Sequence, residues 1–200
     1  MNQTTLAVFG IASFVLNTVG LVPYIRDIFL RKTKPERASW WIWLALNLIA
    51  FFAQLAAGAT WSLLMTAASI VAVLVIAVLS LRYGYGTFHR RDLISLLIAM
   101  FGLVLWKFTH QPFTALLIVI GLDLLSFWLT LSKSWRAPYT ETLSAWVLAS
   151  MAGVLGLLAV GSWNPTQLIY PVYVAAANWL LVGIIIYRRS HKKPTALANL

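Results

Sequence analysis

The chain has 200 residues, of which 61% are hydrophobic and only 10% charged, and its formal net charge is +10. A water-soluble domain has roughly half apolar and about a quarter charged residues, so this composition excludes an ordinary soluble fold. The absence of cysteine excludes a disulfide, a thiolate metal site and a cysteine nucleophile. Because the basic residues lie beside long apolar runs, we expect them to set orientation in a membrane and expect no nucleic-acid partner.

Seven apolar runs are each close to the length of roughly 20 residues that a helix needs to cross a bilayer. The runs are continuous and rich in Leu and Ala, which favours helices over the alternating strands of a barrel. The sequence therefore predicts a single all-α integral membrane domain of seven transmembrane helices. In chain order these spans are residues 6–30, 40–57, 61–81, 93–108, 112–131, 143–160 and 166–187. The first run is too long for a cleavable signal peptide, so we expect it to be kept.

The positive charges are distributed unevenly between the two sides of this arrangement. All the lysines and arginines except Lys107 lie on one side, including those of the basic tail at 188–200. By the positive-inside rule that side is cytoplasmic, which places the N-terminus outside and the C-terminus inside. We expect the bacterial inner membrane, with anionic lipids as partners of the basic loops.

A constant displacement of 103 positions matches the first three spans with the last three. It pairs residues that are uncommon in apolar runs, namely Pro35 with Pro138, Trp43 with Trp146 and Gly58 with Gly161. Internal duplication is common among membrane carriers. The sequence thus predicts two parallel three-helix repeats, residues 6–81 and 112–187, joined by a linker helix at 93–108.

This three-plus-one-plus-three plan, with the N-terminus outside, resembles the SWEET and PQ-loop (MtN3-like) transporter superfamily. Pro23, the basic turn at 31–37 and the Trp-rich start of the second span resemble the first PQ-loop segment. Pro23 is followed by Tyr24 and its repeat partner is Ser126, so the chain would be a divergent member without the Pro-Gln dipeptides. The resemblance implies a carrier of a small solute. A vitamin transporter group also resembles this layout, and the KDEL receptor shares the fold without transporting.

Asp123 is the one acidic residue deep inside an apolar run. A carboxyl group there is costly, and such groups usually face a cavity or a partner. If access to that cavity changes, Asp123 could bind and release a proton, and it could also select cations. The alternative is a neutral Asp123 that bonds across helices and serves packing alone.

Other polar and aromatic residues recur inside the spans at spacings that place them on shared helix faces. Amides can both donate and accept hydrogen bonds, and indole rings stack on flat or sugar-like faces, so an uncharged polar ligand would suit them. The predicted solute-binding residues are Asp123, Asn47, Gln54, Asn178, Trp43, Trp146, Tyr173 and Asn17. The resemblance implies a pocket role for Asn178, with Thr66 and Ser69 as candidate partners. The alternative is that these amides only hold helices together.

Two prolines inside spans, Pro23 and Pro171, are the predicted hinges, although each could equally be a static kink. Five of the ten tryptophans lie at span ends, where membrane anchors are expected, namely Trp40, Trp41, Trp61, Trp135 and Trp163. The seventh span has no lysine for a retinal Schiff base, and the spans have no histidine for haem or metal, so we expect no cofactor and no enzyme activity. The sequence favours a carrier of a small polar solute, with proton coupling left open. A non-transporting receptor or scaffold is the alternative, and a homo-oligomer also stays open.

Overall fold

A computed structural model describes residues 1–85 and 112–191, together with Leu93 and Leu97. The chain in the two long ranges folds into six α-helices, with a short 3₁₀ helix at Pro138–Thr140. These helices are α1 (Gln3–Phe29), α2 (Arg37–Ala56), α3 (Leu63–Tyr83), α4 (Pro112–Arg136), α5 (Leu143–Leu158) and α6 (Pro165–His191). Leu93 and Leu97 are helical, but the rest of the predicted linker helix at 93–108 and the tail beyond 191 lie outside the described residues.

Five of the six helices are long and apolar enough to cross a membrane, and they indicate an integral membrane protein. The exception is α5, whose 16 residues give a length of about 24 Å at 1.5 Å per residue. That is shorter than a hydrocarbon core of about 30 Å. Helices α4 and α6 extend beyond their predicted apolar runs into basic segments, because Lys and Arg are good helix formers and suit a helix C-terminus.

The six helices form a closed ring. Their order around the ring is α1, α3, α2, α4, α6 and α5, which packs back against α1. Within the described residues, the backbones of α1 and α2 do not approach each other closely, and neither do those of α4 and α5, although each pair is joined by a short loop. The helices of each of these two pairs are therefore separated by a third one, and the ring surrounds a central space.

The loops before α2 and α5 meet at one end of the ring, which we call the basic end. There the backbone N–H of Lys34 donates to the Thr140 carbonyl at 3.2 Å. The hydroxyl oxygens of Thr33 and Thr142 lie 2.6 Å apart, and both residues are buried. The lysines and arginines in this part of the chain include Arg26, Lys34, Arg37, Lys133, Arg136, Arg188 and Arg189.

Helices α2 and α5 end in the same way at the opposite end of the ring. Each is followed by a glycine with positive φ, 79° at Gly58 and 67° at Gly161, a conformation that terminates a helix and costs any other residue a Cβ clash. Gln167, at the start of α6, donates to the Ala57 carbonyl at 2.8 Å. A Cβ on Gly161 would lie 2.5 Å from the Leu6 side chain at the start of α1.

Small residues bring α1 close to its neighbours. A Cβ added to Gly10 would lie 2.6 Å from the Trp61 carbonyl oxygen, and one added to Gly20 would lie 3.1 Å from Leu148 on α5. The buried Ser13 hydroxyl donates to the Ala152 carbonyl of α5 at 2.7 Å. In lipid, where no hydrophobic force joins helices, close packing and interhelical hydrogen bonds hold a bundle together.

Candidate functional site: the central cavity

A cavity of about 130 Å³ lies inside the ring, and all six helices contribute to its wall. An engineered protein cavity of about 150 Å³ takes up benzene, so this space has the size of a small ring-shaped molecule. Each helix contributes at least one polar or aromatic residue to this wall. In chain order these include Asn17, Trp43, Ser69, Asp123, Trp146 and Tyr173.

Seven of the eight residues predicted to bind a solute line this cavity. They are Asn17, Trp43, Asn47, Asp123, Trp146, Tyr173 and Asn178. They come from five helices, and residues up to 161 positions apart in the sequence are brought together. Ser69, one of the two candidate partners on α3, lines the cavity as well.

Gln54 is the predicted solute-binding residue that the structure does not bring to the cavity. It is fully buried between α2 and α3, where its Nε2 donates to the Ala50 carbonyl at 3.1 Å and to the Thr66 hydroxyl at 3.2 Å. Two helical turns separate it from Asn47, which places it nearer the end of α2. Its contacts are those of an amide that joins two helices.

The Asp123 carboxyl group faces the cavity from the middle of α4. The Tyr173 hydroxyl donates a hydrogen bond to its Oδ2 atom, and the Trp43 side chain is a further hydrogen-bonding neighbour. Among the described residues that line the cavity, none is Lys, Arg or His. Asp123 therefore has hydrogen-bond donors around it but no positively charged neighbour in the described wall.

The cavity amides are held in place by neighbouring side chains. Asn17 donates to the Ser69 hydroxyl at 2.9 Å, which links α1 to α3. Asn47 donates to the Trp43 carbonyl at 2.8 Å and accepts from the Tyr170 hydroxyl at 3.5 Å, which links α2 to α6. Each of these amides keeps further donor or acceptor capacity that a ligand could use.

Aromatic rings fill the space between these polar residues and the basic end. Trp40 and Trp43 meet edge to face at 5.2 Å between centroids, with an interplanar angle of 89°. Trp146 packs against Trp43 at 6.1 Å and 72°, and Tyr24 meets Trp146 at 6.3 Å and 88°. These four residues, which we call the aromatic layer, come from α1, α2 and α5, and all line the cavity.

The aromatic layer is anchored by Glu141, a buried residue in the loop before α5. Its Oε2 atom accepts from the Trp146 indole at 2.9 Å and from the Tyr24 hydroxyl at 3.1 Å. Its Oε1 atom pairs with Lys133, and the two side chains are 0% and 2% exposed. Lys133 also donates to the Lys34 carbonyl, across to the loop before α2. We call this set the Glu141 network.

The two predicted hinges lie inside continuous helices, Pro23 in α1 and Pro171 in α6. Pro23 immediately precedes Tyr24 of the aromatic layer. Pro171 is buried between Tyr170 and Tyr173, which both line the cavity. Each proline removes one backbone hydrogen bond next to a cavity residue, and their role as hinges stays a prediction.

Sequence reasoning missed several members of the site. Trp40 was interpreted as a membrane anchor, yet it is 6% exposed and lines the cavity. Its spacing of three from Trp43 would have placed it on the same helix face, as would the spacing of Tyr170 from Tyr173. Glu141 and Lys133 gave no such signal, because an acid in a short loop and a base at a helix end are ordinary in membrane proteins.

No known family model, curated protein or solved structure matches the chain.

Proposed function

We propose that this protein is a membrane carrier that moves a small polar solute by alternating access to the central cavity. The observation that carries the proposal is the position of Asp123, a carboxyl group on a membrane helix that faces a space inside the ring lined by all six described helices. An ionisable group at that depth is costly, and such groups usually face a water-filled cavity or line a transport pathway. A solute would be held there by Asp123 and the cavity amides, and the aromatic layer would separate it from the basic end.

The proposal includes seven transmembrane helices in two three-helix repeats, with the linker helix at 93–108. The order of contacts supports a repeat. In the first unit the third helix, α3, packs between α1 and α2, and in the second unit the third helix, α6, packs between α4 and α5. The two groups meet through matched pairs, α1 with α5 and α2 with α4. The matched Gly58 and Gly161 also share a positive φ after their helices. With this plan in view, we include in the proposal that the chain is a divergent member of the SWEET and PQ-loop superfamily.

The two repeats would move relative to each other around the cavity. Contacts that cross between them at the basic end include the pair of Thr33 and Thr142 and the bond from Tyr24 to Glu141. They would have to separate for the cavity to open at that end. We place the basic end in the cytoplasm of a bacterial cell, because its Lys and Arg side chains would be retained there.

The first test is a thermal-shift screen of the purified protein against sugars, amino acids and vitamins, since a ligand that binds only the folded state raises the unfolding temperature. Each ligand found is then tested for solute counterflow in proteoliposomes. A carrier exchanges labelled for unlabelled solute across the bilayer. A receptor or scaffold binds the ligand and leaves the label outside, and that result would reject the carrier proposal.

Proton coupling is tested in the same assay at about pH 5 and about pH 8. Asp123→Asn keeps the size of the side chain and one acceptor oxygen but cannot take up a proton. If transport is coupled through this residue, the wild-type rate depends on pH and the Asn variant loses that dependence. Equal rates at both pH values in both proteins would assign Asp123 a role without proton transfer.

A further inference from the structure

The described cavity wall has an acidic side chain but no basic one. Its described residues include a single carboxyl group, Asp123, and no Lys, Arg or His. The buried base of the Glu141 network, Lys133, does not line the cavity and is paired with Glu141 and with backbone carbonyls. An ionised Asp123 therefore gives the cavity a charge of about −1 that the described wall does not neutralise, and low surrounding polarity strengthens its attraction for a positive ligand.

The described cavity wall is also rich in aromatic rings. It contains Trp40, Trp43, Trp146, Tyr24, Phe127, Tyr170 and Tyr173. Neighbouring rings are steeply inclined to each other, as Trp40 is to Trp43 at 89°, so their faces point in different directions around the cavity wall. The faces of aromatic rings carry partial negative charge, and cages of aromatic rings bind ammonium groups through cation–π interactions.

We propose that the solute is a small monovalent organic cation, held between the Asp123 carboxylate and the faces of the aromatic layer. This inference rests on the proposed function, since it names the solute class of the same cavity. An anion would be repelled by Asp123. A neutral solute could donate hydrogen bonds to the carboxylate but would leave its charge unpaired, whereas a cation would supply the missing counter-charge.

The cavity volume limits the size of the cation. About 130 Å³ suits a compact head group or a single ring and is too small for a dinucleotide. The amides of Asn17 and Asn47 keep hydrogen-bonding capacity for a hydroxyl or carbonyl group beside the charge. Choline and N-methylpyridinium are suitable probes of this chemistry, chosen for shape and charge alone.

The test compares each cation with a neutral molecule of the same shape. Choline is paired with 3,3-dimethylbutan-1-ol, in which carbon replaces the nitrogen, and N-methylpyridinium is paired with toluene. Binding to the full-length protein in nanodiscs is measured by calorimetry and by the shift of unfolding temperature. We expect at least one cation to bind about tenfold or more tightly than its neutral partner, since burial of an unpaired charge is penalised by this much or more.

Two variants link that preference to the cavity. Asp123→Asn should abolish the difference between the cation and its neutral partner. Asp27→Asn is the matched control, because Asp27 lies at the basic end, where it accepts from the Thr142 hydroxyl at 3.0 Å, and an Asn oxygen can do the same. That variant should keep the full preference.

The outcomes separate this inference from the carrier proposal. Equal binding of cations and neutral partners, or no binding of any cation while a neutral solute exchanges in counterflow, overturns the cation assignment and leaves the carrier standing. Cation binding that depends on Asp123 in a protein that exchanges no solute supports the cation site and rejects the carrier. A preference that survives in Asp123→Asn also overturns the assignment.

Discussion

The buried ion pair of the Glu141 network gives the sharpest prediction about stability. In Glu141→Gln the side chain keeps its shape, but Lys133 loses its counter-charge at a site where both side chains are almost fully buried. Removing one partner of a buried pair typically costs about 3–5 kcal/mol. Lys133 keeps its bonds to the carbonyls of Lys34 and Thr140, so we expect the lower end, about 3 kcal/mol.

A double variant isolates the cause. Lys133→Met removes the stranded charge, so Glu141→Gln combined with Lys133→Met should be more stable than Glu141→Gln alone, because no buried charge is then left without a partner. The measurement is reversible denaturation in detergent micelles for the four proteins of the cycle. Residues in contact show a coupling free energy of about 0.5–3 kcal/mol. If the stability losses of the two single variants simply add up in the double variant, Glu141 and Lys133 do not stabilise each other and the reasoning is wrong.

Glu36→Gln provides the matched control for that cycle. Glu36 is partly exposed, and its carboxylate caps α2 by accepting from the Ser39 backbone N–H at 2.8 Å. The Gln oxygen can still accept this bond, so we expect a loss below about 1 kcal/mol. If Glu141→Gln costs no more than Glu36→Gln, the burial argument is wrong.

Gly10→Ala should destabilise the bundle by about 1–3 kcal/mol, because its Cβ would lie 2.6 Å from the Trp61 carbonyl oxygen. Gly183→Ala is its control and should be neutral or slightly stabilising in the same denaturation assay, since its Cβ would meet nothing within 4 Å and Ala favours the helix. The chain has no cysteine, so single cysteines report topology cleanly. Lys32→Cys should be labelled by an impermeant maleimide only from the cytoplasm, and Ser162→Cys only from outside. Labelling of both from the same side would contradict the assigned orientation.

The helices were predictable because a bilayer imposes a length and a composition that long apolar runs must meet. The predicted helix ends were less accurate, because a helix can end before the last apolar residue of a run or continue beyond it. The sixth span was expected to reach residue 160, whereas α5 ends at Leu158 and the positive φ of Gly161 follows. In α4 the helix continues through Lys133 to Arg136, beyond the apolar run.

The cavity was predictable in its residue types, since Asp123 and the amides are costly in lipid and have to face inward. The choice among amides was not, because Asn47 and Gln54 share a face of α2 and only the packing of α3 decides which of them reaches the cavity. The role of Glu141 could not be predicted from the sequence, because it depends on a contact with Tyr24, 117 positions earlier in the chain.

The central claim, that the two repeats separate around the cavity, is tested most directly by locking them together at the basic end. The hydroxyl oxygens of Thr33 and Thr142 are 2.6 Å apart, so Thr33→Cys with Thr142→Cys places two thiols within bonding distance in a chain that has no other cysteine. A carrier should lose solute counterflow when this pair is oxidised and regain it on reduction, while each single variant stays active under both conditions. Unchanged counterflow in protein shown to be fully cross-linked would contradict alternating access.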